Sequence, residues 1–173
     1  FEGHSTDYQT KYKLRELVED GVGILKVGPG MTYAMREALF ALSYMEEMMF
    51  HGREDEASHF IEVLEKAMMA EPKNWQKHYH GDDNELWFKR KFSFSDRSRY
   101  YMPNPEVAAA KEKLIANLRK EGISLAALSQ FMPIQYTKVR EGKLANDPEA
   151  LILDRITNTI DEYLFASHQE ALF

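Results

Sequence analysis

The chain contains no cysteine, so neither a disulfide nor a thiolate nucleophile is available, a usage that suits a reducing compartment. It also lacks any long apolar run. Charge interrupts each hydrophobic stretch well before the roughly 18 residues a membrane-spanning helix requires, and the N-terminus lacks the basic-then-apolar order of a signal peptide. Positive charge is in deficit, with 22 Lys plus Arg against 28 Asp plus Glu and a net charge of −6 at pH 7. That balance argues against a global attraction to nucleic acid or to an anionic membrane. Together these absences predict a soluble, cytoplasmic protein with no nucleic acid and no membrane among its partners. What is present, 44% hydrophobic and 29% charged residues over 173 positions, suffices for the core of one domain.

An initiator methionine is lacking too. The chain begins at Phe1, inside a predicted strand, and is expected to be the C-terminal part of a longer protein. After that strand, Tyr12 to Glu19 places Leu14, Leu17 and Val18 on one helical face, and Gly21 supplies a stop. Gly23 to Val27 then reads as a second strand, mostly apolar as parallel strands covered on both faces are. It runs through Gly28-Pro29-Gly30 into a long helix from Met31 to Met49. Two consecutive strand-to-helix units predict an α/β protein: residues 1–50 as the last two βα units of a TIM-type (β/α)8 barrel. Residues 51–173 are expected to form an all-helical C-terminal extension packing on that barrel.

The long helix is apolar on two stripes, one through Met31, Met35, Leu39 and Leu42 and another through Tyr33, Phe40, Tyr44 and Met48. A helix apolar on two sides is sandwiched, and the second stripe is expected to meet the helices that follow. Asp55 to Ala70 predicts a further helix ended by Pro72, and residues 79–84 predict a loop. Asn104-Pro105-Glu106 and Asp147-Pro148-Glu149 each supply an N-cap, a proline at the first helical position and an early acid. Ser124-Leu125 and Pro133-Ile134 open two short helices between them.

Four groups of residues could carry chemistry. Gly28, Gly30 and Thr32 stand between a strand and a helix, where free backbone N–H groups and the helix dipole can hold a phosphate; the alternative is a tight turn that needs only the backbone freedom of glycine. His4, at the first strand end, could be a metal ligand, a base or a structural residue, with Asp7 placed to orient it. A catalytic zinc needs three protein ligands, and nothing else near His4 supplies them. His78-Tyr79-His80-Gly81-Asp82-Asp83 gathers ligand-type residues but has no second cluster at metal-binding spacing, which favours a polar loop. From Trp87 to Tyr101 bases interleave with aromatics, a composition shared by single-strand nucleic-acid binders and protein interfaces; the acidic whole favours an interface.

Several uncommon strings then resemble one family in order: Glu2-Gly3-His4-Ser5-Thr6-Asp7-Tyr8-Gln9, Ile24-Leu25-Lys26-Val27-Gly28-Pro29, Arg36-Glu37-Ala38-Leu39-Phe40-Ala41-Leu42, Trp75-Gln76-Lys77-His78-Tyr79-His80-Gly81, and Phe94-Ser95-Asp96-Arg97 with Arg99-Tyr100-Tyr101. Leu128-Ser129-Gln130-Phe131, Gln135-Tyr136, Val139-Arg140-Glu141-Gly142 and Asp147-Pro148 continue the match. The chain resembles the non-catalytic subunit of class II D-tagatose-1,6-bisphosphate aldolase, the GatZ/KbaZ family. The resemblance implies a barrel-related accessory subunit without aldolase activity of its own, needed for the stability and full activity of a catalytic aldolase subunit in galactitol or N-acetylgalactosamine breakdown. It implies zinc on that catalytic partner, no cofactor on this subunit, and contact with a sugar phosphate as a further possibility. In the catalytic aldolases the matching strand ends look like His-Gly-Ala-Ser-Gly, whose histidine binds zinc, and Lys-Ile-Asn-Val-Ala-Thr, which helps hold phosphate. Here Ser5-Thr6-Asp7 follows His4 and Gly28 follows Lys26-Val27, which makes His4 a vestigial metal candidate and no residue a catalytic one. The rival reading is a sugar-phosphate enzyme such as a tagatose-6-phosphate kinase, although nothing in residues 1–173 resembles a P-loop or the kinase signatures.

Overall fold

A computed structural model describes residues 1–169; residues 170–173 of the predicted 51–173 extension lie outside the described residues. Two short strands, β1 (Glu2–Gly3) and β2 (Ile24–Leu25), pair in parallel with Glu2 opposite Ile24 and Gly3 opposite Leu25. The crossover between them is α1 (Lys11–Glu19), whose first turn is capped by the Thr10 hydroxyl accepting from the Lys13 N–H at 3.3 Å. Gly21 ends the crossover with φ of 93°, a left-handed backbone that glycine adopts without steric cost. The strand predicted over Gly23 to Val27 is shorter than expected because a ladder extends only as far as its partner does. β1 supplies two paired residues, and the Lys26 N–H still reaches the Gly3 carbonyl at 2.9 Å beyond them.

Among the described residues the remaining regular elements are helices: apart from three short 3-10 turns they are α2 (Gly30–Met49), α3 (Phe60–Ala70), α4 (Asp83–Phe92), α5 (Pro105–Glu121), α6 (Leu125–Phe131), α7 (Pro133–Arg140) and α8 (Pro148–Ala166). The molecule is therefore a mostly helical α/β protein with one parallel pair of strands. α2 is the central element, packed against α8, α5 and α6, while α8 returns along both α1 and α2. Its apolar stripes explain this position. Leu39, Leu42 and Met45 are buried with Phe60, Leu64, Leu114 and Leu118, and each such side chain fully withdrawn from water contributes about 1.5–3 kcal/mol. On the second stripe Phe40 meets Phe60 and Phe92 edge-on and Tyr44 stacks on Phe131, whereas Met48 is 63% exposed.

Two predicted boundaries move, each for a visible reason. The helix expected from Asp55 begins at Phe60, after a 3-10 turn over Glu54–Glu56 and a left-handed His59 (φ 51°). Ser58 is pulled inward there, its N–H donating to the buried Glu46 carboxylate at 3.0 Å, which bends the chain out of a continuous helix. The loop expected over residues 79–84 ends earlier, because Asp82 and Glu85 form a reciprocal capping box that opens α4 at Asp83. The caps expected at Asn104 and Asp147 form as predicted, each side chain accepting from the N–H groups of the next turn.

Candidate functional site

The strand ends converge on the loop from His4 to Thr10. Two of its non-glycine residues, Ser5 (φ 56°) and Tyr8 (φ 66°), take left-handed backbone, a conformation that persists only where surrounding contacts impose it. Three successive side chains impose it. The Thr6 hydroxyl donates to the Lys26 carbonyl at 2.8 Å and lies 2.9 Å from the Tyr163 hydroxyl, tying the loop to the end of β2 and to α8. Asp7 accepts from the Gly28 N–H at 2.9 Å and from the Gly30 N–H at 2.8 Å, at the first turn of α2. The Tyr8 hydroxyl donates to the Phe94 carbonyl at 2.6 Å, and its ring packs on Tyr33 and Phe94.

The predicted phosphate residues are thus brought together, but with their donors engaged from within the chain. The Gly28 and Gly30 amides point at Asp7, and the Thr32 hydroxyl donates to the Pro29 carbonyl at 2.9 Å. Asp7, expected beside His4, has left it for these amides. His4 is exposed, its Nε2 3.1 Å from Glu2, which also lies 3.5 Å from the Lys26 ammonium. Among the described residues no group of three or more potential ligands gathers to hold a metal.

Beside the loop lies a cavity of about 350 Å³, lined by Thr6, Asp7, Tyr33, Glu37, Arg155 and Tyr163 among others. Its one arginine is neutralised by Glu37, to which Arg155 donates. Burial raises the Tyr8 phenol above its ordinary range, and the nearby Asp7 and Asp96 carboxylates add to it. Burial likewise raises Tyr33, with Glu37 beside it, and Tyr163 despite the bond from Thr6. These phenols are neutral hydrogen-bonding groups near pH 7 and poor bases.

The aromatic and basic stretch after residue 87 packs onto the same framework. Arg36, 2% exposed on α2, donates to the Lys91 carbonyl, stacks over Tyr33 at 4.4 Å and lies 3.5 Å from the equally buried Asp96. Asp96 also accepts from the Ser98 N–H at 3.2 Å and hydroxyl at 2.6 Å. Between the two histidines of the polar loop, Tyr79 is buried, donating to the Ser95 carbonyl at 2.6 Å and accepting from the Arg97 N–H at 3.2 Å. The buried Arg36–Asp96 pair escapes sequence reasoning. Its only trace is a charged residue inside the apolar pattern of α2.

A sequence model of the family described as D-tagatose-1,6-bisphosphate aldolase subunit GatZ/KbaZ-like matches residues 1–168. The chain belongs to this family. The crystal structure of a probable tagatose 6 phosphate kinase from Sinorhizobium meliloti 1021 is similar in fold, with a TM-score of 0.88 and 44% identity. The match covers 96% of this chain and 42% of that one, so the chain spans less than half the length of that neighbour. Within this GatZ/KbaZ-like chain, the strings that carried the resemblance are contact partners in space. The Asp7 string meets the Gly28 string, the Tyr8 string meets Phe94, the Arg36 string meets Asp96, and the Tyr79 string meets Ser95 and Arg97. Family likeness and tertiary framework coincide.

Proposed function

We propose that this GatZ/KbaZ-like chain belongs to an accessory, non-catalytic subunit of tagatose-1,6-bisphosphate aldolase, cytoplasmic and acting in the breakdown of galactitol or N-acetylgalactosamine through tagatose 6-phosphate. The family match over residues 1–168 carries this reading. The strand ends support it: the Gly28 and Gly30 amides that a catalytic barrel would offer to phosphate hold Asp7 of the loop instead. Zinc belongs on the catalytic partner. The strands belong to a TIM-type barrel, whose further strands would cover Ile24, 57% exposed on a two-residue strand.

The subunit acts by mass action. A partner that binds only the folded aldolase stabilises it by RT ln(1 + [L]/Kd), about 2.7 kcal/mol at a hundredfold excess over Kd. Co-expression of the full-length protein with the catalytic subunit is expected to raise both its soluble yield and its specific activity. An aldolase subunit equally soluble and active alone would refute the reading. The kinase named for the similar Sinorhizobium meliloti structure is the second reading. ADP release from ATP and tagatose 6-phosphate by the full-length protein alone decides for it.

A further inference from the structure

A pair of converging backbone N–H groups at the start of a helix is a seat for an anion, and here an anion is in the seat. We propose that Asp7 is the specificity-determining residue of this turn: its carboxylate fills the place of a phosphate ester and closes Gly28, Gly30 and Thr32 to sugar phosphates. The inference stands on geometry alone and does not depend on the accessory-subunit reading.

Four observations carry it. First, both carboxylate oxygens are engaged, Oδ1 with the Gly30 N–H at 2.8 Å and Oδ2 with the Gly28 N–H at 2.9 Å, so the two donors converge on one charged group. Second, the cradle is fitted to that group. A Cβ built on Gly28 would stand 2.6 Å from Asp7 Oδ2 and one on Gly30 2.7 Å from Oδ1, closer than side-chain carbons approach oxygen. Third, the side chains beside the turn that could donate are engaged elsewhere: the Thr32 hydroxyl bonds within the turn and the neighbouring Arg155 is held by Glu37. Fourth, Asp7 cannot swing aside on its own. Thr6 and Tyr8 anchor the chain on either side of it, to Lys26, Tyr163 and Phe94, through a loop with left-handed backbone at Ser5 and Tyr8.

A phosphate would therefore have to displace a tethered carboxylate whose effective concentration is on the order of millimolar or higher, and would meet its charge while doing so. The test is a titration of full-length protein labelled with 15N-glycine, using inorganic phosphate in one series and a hexose 6-phosphate in another. In the wild type the Gly28 and Gly30 amide resonances are expected to stay in place in both. Asp7→Ala empties the seat, and phosphate binding at least tenfold tighter than in the wild type is expected; adding Gly28→Ala to it should abolish that gain, because the new methyl occupies the seat. A gain with the hexose ester alone would place recognition in the adjoining cavity, and it still requires Asp7 to have been the block. Saturable movement of the wild-type amides overturns the proposal, as does a folded Asp7→Ala protein with no gain. If Asp7→Ala does not fold, Asp7→Asn keeps one acceptor for the turn while removing the charge. It must bind phosphate more tightly than the wild type, and no gain there counts equally against the proposal.

Discussion

Glu46 is a carboxylate at 1% exposure whose partners come from two other segments. It accepts from the Ser58 N–H and hydroxyl and from the Asn117 side-chain amide, at 2.7 Å for the last. Removing it would leave buried donors without partners, which is costlier than the net worth of the bonds themselves. Glu46→Ala is expected to lower stability by about 3 kcal/mol in a urea melt, while Glu46→Gln, keeping one acceptor, loses less. A loss within about 0.5 kcal/mol, the range of an ordinary surface change, would contradict this. The neighbouring Glu47 differs in kind: burial raises its carboxyl, as do the nearby Glu62 and Glu46 carboxylates. Sequence pattern sets Glu46 and Glu47 side by side with nothing to tell them apart. Their separation depends on Ser58 and Asn117, which only the folded chain brings near.

Helix ends were far more legible than helix partners. Asn104-Pro105-Glu106 and Asp147-Pro148-Glu149 announce α5 and α8 because a cap is a local bargain among adjacent residues, and the structure forms both. The start of α3 was not legible, since it depends on Ser58 turning toward Glu46 across the fold. The same limit applies to the site: the glycines at 28 and 30 were visible as an anion seat, but its occupant lies more than twenty residues upstream in sequence. Asp147 joins a cap to a tertiary contact, for Arg119 donates to it at 2.8 Å while it accepts from Glu149 and Ala150. Asp147→Ala is expected to cost about 1–2 kcal/mol, more than a cap facing only water. Bonds from Arg119 outweigh burial and hold the Asp147 carboxyl below its ordinary range. The folded pKa being the lower one, this contribution is present above the ordinary aspartate value near about 3.9 and is lost as pH falls further. Asp147→Ala should therefore flatten the acid limb of a stability profile; an unchanged limb would show that the pair with Arg119 is idle in solution.

At the scale of the whole molecule, tyrosines join the pieces that helix packing alone leaves separate. Tyr8 bonds Phe94, Tyr79 bonds Ser95 and Tyr101 bonds the Glu71 carbonyl, each joining two loops, and Tyr163 of α8 meets Thr6 in the loop after β1. In all four, burial is the leading cause that lifts the phenol above its ordinary range. A phenol whose folded pKa exceeds the unfolded one keeps its proton in the native state after the unfolded chain has lost it. The native state then binds more protons, and stability falls as pH rises past the ordinary tyrosine value of about 10. Tyrosinate absorbance of the native protein is accordingly expected to emerge at higher pH than in urea, with the melting temperature dropping steadily over the same interval. Tyr8→Phe tests the cause, removing one such proton together with the bond to Phe94. It should lower stability near pH 7 by about 1 kcal/mol yet make the alkaline decline shallower, because one group fewer resists ionisation. Coincident native and urea titrations, or an alkaline limb as steep in Tyr8→Phe as in the wild type, would mean that these phenols are solvated and that the loops are held by other contacts.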